Sequence, residues 1–197
     1  MTRWFAVIAA FALVLAACGS VSTEGQYGTP EVSGDALLPL VANSTDGSVG
    51  ATIPSITGTD FNGQTVTIDP ANGTPKVILF LAHWCPHCQQ EVPLVQEFLD
   101  ANGGPPDGVE FLSVATSTDP SRPNFPPGAW LDREDWGQAV IVDDEAQTVA
   151  SAFGLSAFPF WVVVGPDGTV LQRVAGGINI EALPALFDQL TSLEVSG

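Results

Sequence analysis

Residues 76–88 read Lys76-Val77-Ile78-Leu79-Phe80-Leu81-Ala82-His83-Trp84-Cys85-Pro86-His87-Cys88. The unbroken apolar run Lys76–Ala82 is the pattern of a buried central strand. It ends in a cysteine, a proline and a second cysteine, followed by a helical pattern that runs to Asn102 and stops at Gly103-Gly104-Pro105-Pro106. Cysteines three apart on a helix share one face, one turn apart, within reach of a disulfide. Unpaired N–H groups and the positive end of the helix dipole favour a thiolate at the helix start. Cys85 is therefore the expected nucleophile and Cys88, a turn inside, the expected resolving thiol. Pro86 suits the first turn because it has no N–H to lose. A protonated His87 adds positive charge beside the thiolate.

Working outward, short strands and helices alternate. Ile53–Thr57 and Gln64–Ile68 flank Asn62-Gly63, a hairpin signal. Val109–Ala115 and Ala139–Val142 read as further strands, with a Pro-rich loop and a short helical stretch near Trp130–Trp136 between them. Glu145–Phe153 reads as a helix closed by Gly154. Phe160–Val164 and Thr169–Val174 flank the Pro166-Asp167-Gly168 turn, and Asn179–Leu193 is a final helix. This order predicts an α/β fold with a central mixed β-sheet flanked by helices, preceded by an N-terminal β-hairpin.

The start of the chain reads as a targeting segment. Arg3 precedes an apolar run from Trp4 to Ala17, followed by Cys18 in the sequence Leu15-Ala16-Ala17-Cys18. A short positive region, an apolar core and small residues before a cysteine predict a lipoprotein signal peptide over 1–17, with Cys18 carrying lipid. Residues 18–49 have no sustained periodicity and read as a flexible tether, leaving 50–197 as the folded domain. The expected location is extracytoplasmic, anchored to a bacterial membrane through lipid.

Export gives the cysteines their meaning. The chain has 3. With Cys18 acylated, one intrachain pair remains, and a bridge that short removes little chain entropy. The pair therefore reads as a working redox couple, with no further cofactor and no metal. A lone C-x-x-C is also half a zinc site. His83 and His87 could complete it, so a non-catalytic metal-binding lipoprotein stands as an alternative. The charge is −17, from 5 basic and 22 acidic residues, which excludes nucleic acid as a partner.

Phe80-Leu81-Ala82-His83-Trp84-Cys85-Pro86-His87-Cys88 resembles the active-site strand and helix start of the thioredoxin superfamily. Pro93 stands where that superfamily kinks its first helix. Phe158-Pro159 stands where it places a cis-proline facing the disulfide. The hairpin with Asn62-Gly63, the run Cys88-Gln89-Gln90-Glu91-Val92-Pro93 and the extra segment before Glu145 are similar to the membrane-anchored TlpA/ResA-like branch. The resemblance implies a thioredoxin-like fold over about Gly50 to Leu193. It also implies thiol–disulfide exchange with protein thiols, recycling by a membrane redox partner, and roles in cytochrome c maturation or thiol repair. It makes Trp84, Pro86, Phe158 and Pro159 the substrate-binding surface, with the Phe158 backbone open to pair with a peptide. It places Glu91 near the disulfide, and spacing agrees, since Glu91 is three residues beyond Cys88. A carboxyl there can take the resolving thiol's proton if it is partly buried.

Two departures leave alternatives open. Leu79 occupies the position where many thioredoxins carry a buried acid, so proton handling falls to Glu91, His87 or water. The Pro-His dipeptide is that of DsbA-type oxidants, whereas the anchored architecture is that of reductants. A peroxidase of the peroxiredoxin type needs Thr and Arg beside its cysteine. Neither stands near Cys85 in the sequence, which argues against that reading.

Overall fold

In the central strand β4 (Lys76–Leu81), every residue is buried. Val77, Leu79 and Leu81 face one hydrophobic cluster, and Ile78 and Phe80 face another. This alternation follows from the two-residue period of a strand and requires cover on both faces of the sheet. The computed structural model describes residues 26–194. Its five-stranded sheet has the order β6-β5-β4-β7-β8, with β5 at Glu110–Ala115, β6 at Ala139–Val142, β7 at Phe160–Val164 and β8 at Val170–Ala175. β4, β5 and β6 run parallel, whereas β7 is antiparallel to both β4 and β8.

Helices α1 (Pro86–Asn102), α2 (Pro127–Arg133) and α4 (Leu183–Glu194) contribute to the first cluster. Val92, Val95, Leu99, Trp130, Leu131, Phe187 and Leu190 meet Trp161 and Val163 of the sheet there. The second face is covered by α3 (Thr148–Ala152) and by a small antiparallel sheet of β1 (Glu31–Ser33), β2 (Ser55–Thr59) and β3 (Thr65–Ile68). The expected mixed sheet with helices on both faces is present.

The N-terminal hairpin is part of a three-stranded sheet, because β1 pairs with β2. The tether expected over 18–49 is therefore docked in its described part. Gly28 N–H donates to Asp143 O, and Leu37 N–H donates to Ala152 O while its side chain is buried. Arg173 of β8 is buried and needs a counter-charge. Asp46 supplies it through a two-point contact that includes an Nε–Oδ2 bond of 2.8 Å. The expected signal peptide over 1–17 and the lipidated Cys18 lie outside the described residues.

α3 is shorter than the expected Glu145–Phe153. Asp143 and Asp144 accept from the N–H groups of Val149 and Thr148, so the helix starts at Thr148. The final helix begins with a separate 3₁₀ turn at Ile180–Ala182.

Candidate active site

The first turn of α1 holds the cysteines. Cys85 is the N-cap, and its Sγ accepts a hydrogen bond from Cys88 N–H at 3.4 Å. Both are free thiols and both are buried, Cys85 at 4% exposure and Cys88 at 0%. Pro86 and His87 lie exposed on the same turn. Burial pushes the Cys88 thiol well above its ordinary value, and neighbouring Cys85 and the charge of Glu91 add to the rise. Cys88 therefore keeps its proton until something close takes it.

Glu91, the next residue on that helix face, is 7% exposed. Trp161 Nε1–H donates to its Oε1 at 2.7 Å, and Ile178 N–H donates to its Oε2 at 2.8 Å. Burial raises its carboxyl above the usual range, and the two donors, with the charge of His87, oppose that rise. Trp161 is the β-ladder partner of Leu79. The acid absent from Leu79 is thus replaced by one reaching from α1 to the neighbouring strand. The close approach needs Gly177, where a Cβ would come within 2.6 Å of Glu91 Oε2.

Trp84 is half-buried. Its Nε1–H donates to Ser117 O at 2.7 Å, and Phe158 meets its ring edge-on at 5.8 Å. The Phe158–Pro159 bond is cis, as is Phe125–Pro126, which the sequence reading did not anticipate. Pro159 is buried and its carbonyl accepts from Gly176 N–H at 2.8 Å. The fold thus brings Trp84, Cys85, Pro86, Cys88, Glu91, Phe158 and Pro159 together around one helix start.

Sequence reasoning missed Trp161, the Gly177–Ile178 backbone and Arg122. An indole N–H inside the apolar run Phe160–Val164 was the signal for the first, since a buried indole needs an acceptor. His83 also proves structural. Its Nδ1–H donates to Pro123 O at 2.7 Å, while Nε2 accepts from Asp119 N–H at 3.1 Å. Burial lowers its pKa, so the neutral ring is favoured. With both ring nitrogens engaged, His83 is not free to join Cys85, Cys88 and His87 around a metal. Among the described residues no group of three or more His, Cys, Asp or Glu side chains is placed to hold one. The loop after β5 brings Thr118 and Arg122 to the hollow beside Trp84, the residue before Cys85.

The AhpC/TSA family model matches residues 49–173, which include both cysteines and the cis-proline. The chain belongs to the AhpC/TSA family. Within the thioredoxin superfamily it is TlpA/ResA-like. It is 23% identical over 144 residues to thiol-disulfide oxidoreductase ResA of Bacillus thuringiensis strain Al Hakam, covering 73% of this chain and 79% of that one. The fold matches a thiol:disulfide interchange protein DsbE from Chlorobium tepidum with a TM-score of 0.59 at 18% identity, over 72% of this chain and 96% of that one. A secreted Mycobacterium tuberculosis disulfide oxidoreductase homologous to E. coli DsbE matches with a TM-score of 0.56 at 21% identity, over 68% and 95%. The family member described here is an oxidoreductase.

Proposed function

We propose that this protein is an exported, lipid-tethered thiol–disulfide oxidoreductase that exchanges disulfides with the thiols of other proteins outside the cytoplasm. The observation that carries the reading is the line of Cys85, Cys88 and Glu91 along one face of α1, with the cap cysteine above and a buried carboxyl below. In the reducing direction, the Cys85 thiolate attacks a substrate disulfide. One S–S bond breaks, a mixed disulfide forms, and the first substrate thiolate leaves. Cys88 then gives its proton to the Glu91 carboxylate and attacks Cys85 Sγ. The second substrate thiolate leaves, two electrons have passed to the substrate, and the Cys85–Cys88 disulfide remains. Oxidation of a substrate dithiol runs the same steps backward. A membrane redox partner recycles the pair.

Trp84, Pro86, Phe158 and Pro159 form the surface on which the substrate chain lies, with the backbone at Phe158 as its pairing edge. His87 adds charge at the mouth. The tether rests on Cys18 and the apolar run before it. Among the described residues no helix is long and apolar enough to cross a membrane. Cytochrome c maturation and thiol repair are the tasks that suit a tethered reductant of this type.

The reduction potential of the pair, measured in the soluble domain by equilibration with glutathione or dithiothreitol, tests the reading and gives the direction. A value below about −230 mV makes it a reductant, and one above about −180 mV makes it a disulfide donor. Failure to cycle, or fast peroxide turnover at Cys85, removes protein thiol exchange as the function. Absence of acyl label on Cys18 removes the lipid tether.

A further inference from the structure

Beside the Trp84 ring lies a hollow of about 360 Å³, lined also by Ser117, Thr118, Asp119, Arg122, Glu145 and Gln147. The Arg122 guanidinium carbon stands 4.6 Å from the Trp84 ring centroid, a cation–π contact. The other described cations are already committed. Lys76 is buried against Asn72, Thr74 and Glu110. Arg173 is buried against Asp46, and Arg133 donates to Ala129 O and Asn124 Oδ1. Among the described lysines and arginines, Arg122 is the one with neither an ion pair nor a hydrogen-bond acceptor for its side chain.

Its position is built. The two residues before the nucleophile clamp the loop that carries it. His83 binds Pro123 O and Asp119 N–H through its two ring nitrogens, and Trp84 binds Ser117 O. Asn124 Nδ2 donates back to His83 O at 3.4 Å. With the guanidinium carbon over the indole and no acceptor on its N–H groups, the side chain is open to a planar two-oxygen acceptor.

We propose that Arg122 determines specificity at the exchange site by binding a carboxylate carried next to the reacting sulfur of the substrate. The proposal rests on the exchange reading above. In a chain of net charge −17, Arg122 places positive charge on Trp84, the residue before Cys85. Asp119 keeps its Oδ1 on Ser121, whose N–H and Oγ–H both donate to it. Asp119 and Glu145 line the same hollow, and the charge of Arg122 already acts on Asp119, so a single carboxylate is repelled less there than a phosphate dianion.

The test uses the reduced protein. Peptides with one cysteine held as a mixed disulfide with mercaptoethanol, and flanked by Glu, Gln or Lys, supply the peptide arm. Dithiodipropionate against hydroxyethyl disulfide supplies the small-molecule arm. The carboxylate probe of at least one arm should react roughly two- to fivefold faster than its neutral partner at low salt, as an exposed ion pair allows. Rising salt should erode that ratio. Arg122→Gln should bring it to one or below, and Arg122→Lys, which keeps the charge but not the planar fork, should keep only part of it. A ratio confined to the peptides assigns the carboxylate to a protein side chain, and one confined to dithiodipropionate assigns it to a small disulfide. Ratios near one in both arms, or a ratio unmoved by Arg122→Gln, overturn the proposal. No exchange with any probe, hydroxyethyl disulfide included, overturns the exchange reading as well.

Discussion

Glu91 and Asp143 are both buried carboxylates, and burial raises the pKa of both, yet their surroundings differ. Asp143 accepts four hydrogen bonds, from the N–H groups of Asp144, Val149 and Ala150 and from the Thr116 hydroxyl. Those donors tie the ends of β5 and β6 to the start of α3, and every carboxylate oxygen is used twice. Glu91 accepts two, one on each oxygen. Its charge acts on the buried Cys88 thiol, which must lose a proton in the proposed exchange. A fully satisfied acid holds a fold together, whereas a half-satisfied acid can still take up a proton.

The largest expected effect tests the structural half of that contrast. Asp143→Ala strands several buried donors and should lower unfolding free energy by about 3–5 kcal/mol in urea denaturation. Exchange activity per folded molecule should stay close to wild type. A loss below about 1 kcal/mol would break the comparison.

Glu91→Gln should do the reverse. It keeps the volume but removes the proton acceptor, and should slow resolution of the mixed disulfide by about 100-fold in stopped-flow measurements. In the wild type that step should quicken as pH rises through the Glu91 pKa, which lies above the ordinary carboxylate value of 4.5. The glutamine variant should lose this pH dependence, and an unchanged profile would discard Glu91 as the acceptor.

Trp161→Phe sharpens the contrast by removing one donor from the charged form. The Glu91 pKa should rise further and the pH–rate profile should move to higher pH. Stability should fall by about 1–2 kcal/mol for the lost bond. A profile that stays in place would show the indole to be packing alone.

The smallest effects are in linkage. The folded state binds the Glu91 proton more tightly than the unfolded chain does. Stability from this group is therefore complete below about pH 4.5 and is lost as pH rises through its folded pKa. His83 has the opposite sign. Its folded pKa is depressed, so its contribution is complete above about pH 6.5 and is lost as pH falls, when the Asp119 N–H loses its acceptor. Urea midpoints of Glu91→Gln and His83→Gln against pH should lose these two slopes separately.

Much of the architecture was legible because its cause is local. The strands at Ala139–Val142 and Phe160–Val164 and the helix stop at Gly103 follow from apolar runs and from a residue that accepts φ 79°. β1 was not legible. Three residues without strong alternation become a strand because β2 offers an open edge, and the segment behind them is held by Asp46 against Arg173, 127 positions away. The state of Glu91 was equally hidden, since helical spacing places it below Cys88 whether solvent reaches it or not.

What the sequence determined by itself is the cysteine pair: two thiols at a helix start, after a buried strand, in a spacing that one helical turn brings together. Local geometry suffices for that, because the peptide backbone sets the distance between residues 85 and 88. The tertiary structure alone decided which groups surround the pair and its neighbour Trp84. Glu91 became a buried acid through Trp161 and Ile178, 70 and 87 positions distant, and Arg122 reached Trp84 on a loop clamped by His83. Desolvation and charge placement depend on which distant segments exclude water from a site, and no local pattern encodes that.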